Sequence, residues 1–355
     1  MRSIAKIEVA VLVVSYNSRD DLQECLGSLL AAEAPAIDLN VVVVDNASID
    51  GSPDFVARHF SSIDLVRSDS NLGFAGGNNL GWAHVRRHYP RTRYLALLNP
   101  DTSVAPDWLE TLVAYLESHP EAGAAQSKLM LDGAANSINS VGNRSHYLGF
   151  GFVTAYGEID RGQFDLIRSI DFASAAALVV RTDLLEQAGL FDDEMFLYLE
   201  DADLSWNIRQ LGREIVFVPE SVVKHKYDFD ATLRHYYYLE RNRWILLLTH
   251  YKAATLGVLM PALWLMELGQ LFFAARRGLL GQKLRAYGYF LQSKNRAGLR
   301  DRRREIQGRR VVDDRRFMGD FTGKIEFAGI PAPYRIVGNL VFNTYWRIVR
   351  RLIRW

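Results

Sequence analysis

Acidic side chains follow two of the apolar runs in the first half of the chain. Asp45 comes directly after residues 39–44, and Asp101 ends the Asn-Pro-Asp turn after Tyr94–Leu98. Ligands of parallel sheets bind at the carboxyl ends of the strands, so both carboxylates have the position of site residues. Asp45 can accept hydrogen bonds from a base imide or a ribose hydroxyl. Asp101, with the amide oxygen of Asn99, can bind Mg²⁺ or Mn²⁺ while substrate phosphates complete the shell. Ordinary turns or helix caps are the alternative for both segments.

The densest acidic cluster in an apolar context is Glu200-Asp201, followed by Asp203. Like charges held close together raise one another's pKa, and a carboxylate with a raised pKa suits a general base. The competing interpretation is a solvated first turn of a helix, where acidic residues favour the macrodipole. His225, in the sequence Val-Lys-His-Lys-Tyr, is either a metal ligand or a surface histidine.

A glycine-rich segment, residues 71–79, precedes a predicted helix that reaches about Tyr89. Backbone amides at a helix N-terminus can bind phosphate. The segment has neither the GxGxxG spacing of a dinucleotide-binding fold nor the Lys and Ser/Thr of a P-loop. Both of those classes are therefore disfavoured.

Strands and helices alternate through the part of the chain that carries these residues. Continuous β-branched runs indicate strands buried on both faces, and leucines at helical spacing indicate a helix that Asp20 caps. Such alternation predicts βαβ units and a parallel sheet, an α/β fold. The predicted strands are 9–15, 39–44, 63–66, 94–98, 122–130, 172–180 and 215–218, and the main predicted helices are 20–32, 106–118 and one that starts at 184. Residues 136–162, rich in Gly, Asn and Ser, are expected to be loops that cover the substrate.

The chain has 355 residues, the length of about two domains. Lys and Arg total 42 against 41 Asp and Glu, and the net charge of +1 excludes an extreme polyanion binder. This charge is uneven, because residues 276–355 carry +14 and residues 1–275 carry −13. The asymmetry predicts chemistry in the first part and attachment to an anionic surface in the second. One cysteine excludes an intramolecular disulfide framework, and the short apolar N-terminal stretch predicts a cytoplasmic protein without a signal peptide.

Six motifs, taken in order, resemble those of the family-two inverting glycosyltransferases of the GT-A fold. They are VVSYN, VVVVDNAS, NLGFAGGNN, LLNPD, LYLEDADLSWNIRQLG and VKH, within about residues 8–250. NLGFAGGNN and LLNPDT are most similar to the rhamnosyltransferase-like branch. The resemblance implies a Rossmann-like nucleotide-binding sheet with helices on both faces, a nucleotide-diphosphate-sugar donor, and Mg²⁺ or Mn²⁺.

The resemblance also implies roles for individual residues. Asp201 corresponds to the catalytic base of the family's Glu-Asp motif, with Glu200 as its neighbour. Asp101 corresponds to the last Asp of the metal-binding DxD motif, and His225 falls where some members place a further metal or pyrophosphate ligand. The residues assigned to donor binding are Ser15, Tyr16, Asn17, Asp45, Asn78, Asn99, Arg243 and Trp244.

Two residues depart from the family pattern. Asn99 replaces the first Asp of DxD, which predicts weaker or partly substrate-supplied metal binding. Glu240 replaces the Gln of the QxxRW element that contains Arg243 and Trp244.

The basic part of the chain has two segments that suit membrane contact. Residues 253–275 are strongly apolar, but Glu267 interrupts them, which favours a helix lying on the bilayer or on the catalytic domain over one that spans the membrane. Apolar and basic residues near the C-terminus follow helical spacing on opposite faces, with Val337, Val341, Tyr345, Ile348, Val349 and Leu352 on one and Arg347, Arg350, Arg351 and Arg354 on the other. This pattern is typical of an interfacial anchor, and a domain helix with a solvated arginine face is the alternative. No nucleic-acid-binding motif accompanies the basic run, so nucleic acid is not an expected partner.

The sequence therefore predicts a metal-dependent inverting glycosyltransferase, peripheral to the inner face of the cell membrane. Its catalytic domain is expected at 1–250 and a helical, membrane-associating region at 251–355. It would move a sugar, rhamnose by resemblance, from a dTDP- or UDP-linked donor to a glycan or lipid-linked glycan in cell-surface polysaccharide assembly. A sugar nucleotidyltransferase is one rival, although it would need a basic glycine-rich loop where Ser15-Tyr16-Asn17 stands. A non-catalytic sugar- or lipid-binding membrane protein is the other.

Overall fold

The computed structural model describes residues 6–227, 234–326 and 332–355. The chain divides into two compact units. The first comprises residues 1–143, 153–208 and 213–227, and the second comprises 144–152, 209–212 and 228–355. The boundary after residue 227 is earlier than the predicted one at 250, so the QxxRW-like element belongs to the second unit.

A central sheet organises the first unit. The strands are β1 (Ile7–Ser15), β2 (Ile37–Asp45), β3 (Asp64–Arg67), β4 (Tyr94–Leu98), β5 (Thr102–Val104), β6 (Ala122–Leu131), β7 (Ile138–Ser140), β8 (Asn143–Ser145), β9 (Gly151–Val153), β10 (Arg168–Ser169), β11 (Ala177–Arg181) and β12 (Glu214–His225). Within the described ranges, the main sheet runs in the order β10-β12-β6-β11-β4-β1-β2-β3, while β5 pairs with β12 and β7 with β6. Strands β8 and β9 form a separate pair, and all but the first residue of β8 and the last residue of β9 belong to the second unit.

Helices pack against this sheet and complete its core. They are α1 (Arg19–Ala31), α2 (Ser52–His59), α3 (Gly73–His88), α4 (Trp108–Ser118), α5 (Thr182–Ala188) and α6 (Glu200–Gln210). Residues 9–13 of β1 and 42–44 of β2 have no exposed surface, as their continuous apolar pattern predicts. The helical stripe of α1 is equally buried at Leu22, Cys25 and Leu26. Strands β1, β2 and β4 are thereby fixed with their carboxyl ends at one edge.

The sheet contains the predicted parallel strands and also an antiparallel one, so it is mixed. Strands β3, β2, β1 and β4 are parallel, but β11 is antiparallel to both β4 and β6. The predicted strand at 172–180 also begins later than expected. The N–H groups of Ala173 and Ser174 donate to the side chains of Ser205 and Gln126, so this segment is held as a loop before β11.

Helix α1 begins one residue earlier than predicted. The N–H of Arg19 donates to Oδ2 of Asp50 at 3.0 Å, and Asp20 therefore lies in the first turn and does not cap the helix. Oδ1 of Asp50 accepts from the N–H of Ser52, the first residue of α2, also at 3.0 Å. A single carboxylate therefore fixes the starts of two helices, and a pattern read within one helix could not indicate this.

Helices make up most of the second unit. They are α7 (Tyr236–His250), α8 (Ala253–Arg276), α9 (Leu280–Leu291), α10 (Ser293–Arg309), α11 (Asp314–Phe317) and α12 (Ala332–Val349). A buried group of charges joins three of them, because Arg243 and Lys283 each contact both Glu240 and Glu267. Burial alone would raise the pKa of Glu267, but the charges of Arg243 and Lys283 outweigh it and hold this pKa at about 2.

Helix α8 has apolar side chains on both its buried and its exposed side. Within the described ranges it is the one helix long and apolar enough to cross a bilayer. Its polar residues Thr255 and Glu267 are buried beside Leu259, Leu263 and Met266, and Gln270 accepts a hydrogen bond from the hydroxyl of Tyr236. Five large apolar side chains of the helix are exposed, namely Met260, Trp264, Leu265, Leu268 and Phe272.

The C-terminal helix also differs from its prediction. Helix α12 ends at Val349, so Arg350, Arg351 and Arg354 follow the helix and do not line one of its faces. The apolar residues divide into two groups. Phe342, Trp346, Val349 and Ile353 are buried, whereas Val337, Val341, Ile348 and Leu352 are exposed.

Candidate active site

The loops after β1 and β2 hold three of the predicted donor-binding residues side by side. Ser15 and Asp45 are paired at the ends of two parallel strands. Asn17, with φ of +53°, closes the first loop as its N–H donates to Oγ of Ser48 at 3.0 Å. The N–H of Ser48 donates to Oδ2 of Asp45 at 3.3 Å. Oγ of Ser15 and Oδ1 of Asp45 are buried and have no hydrogen-bond partner in the described part of the chain.

The glycines of residues 71–79 are explained by close packing. Gly73 has φ of +73°, and a Cβ atom there would collide with the carbonyl oxygen of Phe196. A Cβ atom at Gly77 would lie 2.7 Å from Cγ1 of Val14. Asn46, which follows Asp45, locks the same segment because its Nδ2 donates to the carbonyl of Gly73 at 2.9 Å. The segment is thereby fixed against the carboxyl ends of β1 and β2.

Two neighbouring asparagines of α3 have different surroundings. Asn78 is buried, and its Nδ2 donates to the carbonyl of Phe74 within the helix at 2.9 Å. Asn79 binds another loop, since its Nδ2 donates to the carbonyl of Phe191 and its Oδ1 accepts from the N–H of that residue. Asn79, whose role its sequence context did not indicate, thus positions the chain leading to the Glu-Asp pair. Tyr16, another predicted donor residue, is 49% exposed.

Asn99, Asp101 and His225 converge although they are far apart in the chain. Strand β5 pairs with β12 so that Thr102 lies opposite His225. Nε2 of His225 is 3.3 Å from Oδ1 of Asp101 and 3.4 Å from Nδ2 of Asn99. Nδ1 of His225 lies 2.9 Å from Oδ1 of Asn139. Asn139 belongs to the predicted 136–162 loops, and nothing in its sequence context indicated that it orients the histidine.

These atoms fit a divalent cation that has few protein ligands. Oδ1 of Asn139 is placed to accept a hydrogen bond from Nδ1–H of His225, which is the tautomer whose Nε2 can bind metal. Oδ1 of Asn99 and Oδ1 of Asp101 are buried without a hydrogen-bond partner in the described residues. Oxygen ligands with one imidazole suit Mg²⁺ or Mn²⁺ when substrate phosphates complete the shell. No group of three or more His, Cys, Asp and Glu side chains within the described ranges forms a metal site alone.

The Glu-Asp pair follows a strained backbone segment. Phe196, Tyr198 and Leu199 have φ of +60°, +68° and +66°, which residues with a side chain rarely adopt. Each such residue costs about 1–3 kcal/mol, and strain of this kind concentrates at functional sites. Helix α6 begins directly afterwards, with Glu200 buried and Asp201 partly exposed in its first turn.

The two acids of this pair have raised pKa values. Burial raises the pKa of Asp201 to about 6, even though the N–H groups of Ala202 and Ala175 oppose the shift. Burial, and then the negative charge of Asp201, raise the pKa of Glu200 well above its ordinary range. A carboxylate that titrates just below neutrality is suited to removing a proton from an acceptor hydroxyl.

Backbone hydrogen bonds connect these groups into one site. The N–H of Asn99 donates to the carbonyl of Ala176 at 3.0 Å, and the preceding residue, Ala175, contacts the carboxylate of Asp201. On the other side, the N–H of Ala75 in α3 donates to the carbonyl of Phe196 at 3.2 Å. The side chains of Asn99, Asp101 and His225, the Glu-Asp pair and the loops after β1 and β2 therefore share the carboxyl edge of the sheet.

Within the first unit, most buried side-chain atoms without a hydrogen-bond partner lie at this edge. In the described residues of the first unit there are six such nitrogen or oxygen atoms, and five belong to predicted site residues. They are in Ser15, Asp45, Asn99, Asp101 and Glu200; the sixth is Nε1 of Trp108. A buried acceptor without a donor costs about 1–3 kcal/mol, so this concentration indicates a place for a ligand.

Arg243 and Trp244 belong to the second unit. Arg243 is fully buried, and its guanidinium contacts Glu240, Glu267 and the carbonyl of Leu148. These contacts lie within that unit, and the assignment of the two residues to donor binding stays a prediction.

Comparison with known proteins agrees with this fold. Residues 10–183 match the family described as Glycosyl transferase family 2. An N-acetylglucosaminyl-diphospho-decaprenol L-rhamnosyltransferase of Mycobacterium tuberculosis is 26% identical over 234 residues, 61% of this chain and 75% of the relative. Rhamnosyltransferase WbbL of Escherichia coli is 23% identical over 219 residues, 59% of this chain and 80% of the relative.

Two solved structures have the same fold. GalNAc-T7 with UDP, GalNAc and Mn²⁺ has a TM-score of 0.56 at 14% identity, covering 71% of this chain and 49% of that one. TarS of S. aureus has a TM-score of 0.51 at 15% identity, covering 97% of this chain and 55% of that one. This chain thus spans about half the length of each.

The fold is that of the GT-A glycosyltransferases, with a helical C-terminal region, as the motifs predicted. Residues 10–183 thus resemble glycosyltransferase family 2, and the chain is similar over about 60% of its length to two proteins named as rhamnosyltransferases.

The Gly73→Ala variant is expected to disturb the Glu-Asp segment. It combines an unfavourable φ with a collision at Phe196, and should lower the free energy of unfolding by about 2 kcal/mol or more. Gly133→Ala is the matched control, since Gly133 has φ of +71° but open space around its Cβ position. Chemical denaturation of both variants checks this, and an equal loss in the two would contradict a special role for Gly73.

Proposed function

We propose that this glycosyltransferase transfers a sugar from a nucleotide-diphosphate donor with inversion, using Asp201 as the general base. The observation that carries the proposal is the group of unpartnered buried atoms at the carboxyl edge of the sheet. Most of them are oxygen atoms that accept hydrogen bonds. A nucleotide-sugar with a bound cation supplies both N–H or O–H groups and a positive charge for such oxygen atoms.

Each group is matched to a different part of the reaction. Asp45 would accept a hydrogen bond from the nucleotide base or ribose, with Ser15, Tyr16, Asn17 and Asn78 lining the same donor region. Asp201 would take the proton of the acceptor hydroxyl while that oxygen attacks the anomeric carbon and the bond to the diphosphate breaks. A single displacement of this kind inverts the configuration.

The cation-binding atoms come from Asn99, Asp101 and His225. A bound Mg²⁺ or Mn²⁺ would supply positive charge for the departing diphosphate. Only one of the three side chains is a carboxylate, so the substrate phosphates would contribute a large share of the coordination.

Glu200 controls the charge beside the base. Burial, and then the negative charge of Asp201, raise the pKa of Glu200 well above its ordinary range. A second negative charge beside Asp201 is therefore disfavoured.

The donor and acceptor are proposed from the relatives. Two are named rhamnosyltransferases, and one name includes a diphospho-decaprenol-linked sugar. We therefore propose a dTDP- or UDP-linked sugar, rhamnose in the first instance, and a glycan or lipid-linked glycan acceptor in cell-surface polysaccharide assembly.

The second unit is proposed to bind the inner face of the cell membrane from the cytoplasm. Trp264, Leu268 and Phe272 of α8 are 66%, 64% and 56% exposed. Glu267 faces inward and is neutralised by Arg243 and Lys283, so the outward side of the helix suits a bilayer. A helix whose polar residues pack on the protein and whose outward side is apolar suits a position in the membrane interface.

Asp201→Asn is expected to lower transfer about a thousandfold while leaving donor affinity unchanged, because the amide cannot accept the proton. Transfer from dTDP-rhamnose to an N-acetylglucosaminyl diphosphopolyprenol gives the rate, and calorimetry gives the donor affinity. In the wild type, the rate should rise with pH through about 6 and then level off as Asp201 ionises. Asp183→Asn, on the exposed first turn of α5, is the control. Near-normal turnover of Asp201→Asn would remove Asp201 from its role.

Removal of the cation is expected to abolish transfer. EDTA should stop the reaction and added Mn²⁺ should restore it. Asn139→Ala should raise the Mn²⁺ concentration for half-maximal rate about 10- to 100-fold, because His225 loses the acceptor that fixes its tautomer. Asn295→Ala, in α10, is the control. Full activity in EDTA would show that the reaction needs no cation.

The double variant Trp264→Glu/Leu268→Glu is expected to lose vesicle binding. Burial of these two side chains contributes about 1.5–3 kcal/mol each, so partition into phosphatidylcholine vesicles should fall about 100-fold or more. Leu30→Glu/Leu166→Glu replaces two exposed leucines of the first unit and serves as the control. Equal co-sedimentation of the two double variants would contradict insertion of α8.

A further inference from the structure

A cavity of about 570 Å³ lies in the second unit beside α11 and the residues that follow α12. Four arginines line it: Arg315, Arg350, Arg351 and Arg354. Trp346 and Ile353 contribute apolar surface, and Asp314 is its acidic residue. This volume is in the range typical of small-molecule sites.

The charges of the cavity are unbalanced. In the described residues, none of the four arginine side chains forms an ion pair or a hydrogen bond with a carboxylate. Asp314 does not compensate them, because it is fully buried and lies 2.7 Å from Nη2 of Arg310. It also accepts from the N–H of Lys252 and the hydroxyl of Thr255. The cavity therefore has four uncompensated positive charges.

Four guanidinium groups around one cavity repel each other, and an anion placed among them removes this repulsion. Guanidinium groups donate paired hydrogen bonds, a geometry that matches the oxygens of phosphoryl and diphosphate groups. The wall is fixed beforehand, since the ring of Trp346 stacks on Tyr147 at 4.8 Å and its Nε1 donates to the carbonyl of Phe321. The apolar wall is therefore in place before a ligand binds, and the exposed arginine side chains are free to turn toward a phosphate group.

Exposed apolar residues adjoin the arginines in the chain. Ile348 and Leu352, next to Arg350 and Arg351, are 59% and 55% exposed. A ligand with a phosphoryl head and a hydrocarbon tail would satisfy both kinds of surface. A water-soluble nucleotide would leave the apolar residues uncovered.

We propose that this arginine cavity binds the phosphoryl head group of a membrane lipid. The head group belongs either to an anionic phospholipid or to the diphosphate of a lipid-linked acceptor, and the two share the chemistry that the cavity recognises. The site goes beyond the proposed transfer reaction, since none of its residues takes part in donor binding or proton transfer. It adds a specific head-group contact to the insertion proposed for α8.

The test compares two double variants of the full chain. Arg351→Gln/Arg354→Gln removes two charges from the cavity, and Arg335→Gln/Arg347→Gln removes two charges from α12 outside it. All four arginines have solvent-accessible side chains, so both proteins are expected to fold. Calorimetry with inorganic pyrophosphate should show affinity about tenfold weaker, or more, in the first variant and changed by less than about twofold in the second.

Vesicles distinguish the two sources of the head group. The proteins are co-sedimented with phosphatidylcholine alone, with added phosphatidylglycerol, and with added polyprenyl diphosphate. A defect of the cavity variant on both anionic vesicles supports a general phospholipid contact, and a defect on polyprenyl diphosphate alone supports an acceptor site. Equal pyrophosphate affinity in the cavity variant and the wild type, or an equal loss in both double variants, would overturn the proposal. Donor hydrolysis, measured in parallel, reports on the transfer site and is expected to be unchanged.

Discussion

Buried oxygen atoms without hydrogen-bond donors are the constraint on which the first unit depends. Each one costs about 1–3 kcal/mol in the folded chain, and a fold selected for stability alone would pair them or expose them. Here they are kept apart by rigid elements. The valine-rich strands carry Asp45 to its position, the pairing of β5 with β12 brings Asp101 to His225, and Asn46 keeps the neighbouring loop from collapsing onto them. The unpaired oxygen atoms thus depend on several elements of the sheet edge together.

The same edge also carries backbone strain. Residues 196–199 include three non-glycine residues with positive φ, directly before the Glu-Asp pair. Gly73 leaves space for this segment, and Asn79 binds the chain that leads to it. The raised pKa of Asp201 follows from the burial that this arrangement imposes. The backbone strain at residues 196–199 and the burial and raised pKa of Asp201 therefore follow from the same packing arrangement.

The sequence was informative where a signal is local. Continuous apolar runs predicted β1 and β2, and the polar residues directly after them predicted the site edge. It was uninformative where a contact joins distant segments, as with the orientation of His225 by Asn139 or the antiparallel insertion of β11. The inward direction of Glu267 is a similar case, since its partners Arg243 and Lys283 lie on other helices. Composition marked α8 as apolar, but only packing decides which side of it faces out.

The central claim is that a single nucleotide-diphosphate ligand satisfies these separate acceptors together. A crystal structure of the protein with dTDP and Mn²⁺ tests it most directly. We expect the base or ribose within hydrogen-bond distance of Asp45 and Mn²⁺ bound by Asp101 and His225. The diphosphate should contact the Mn²⁺ ion, and Asp201 should face the terminal phosphate of the nucleotide. A nucleotide bound elsewhere, with the oxygens of Asp45 and Asp101 still unpartnered, would contradict the account.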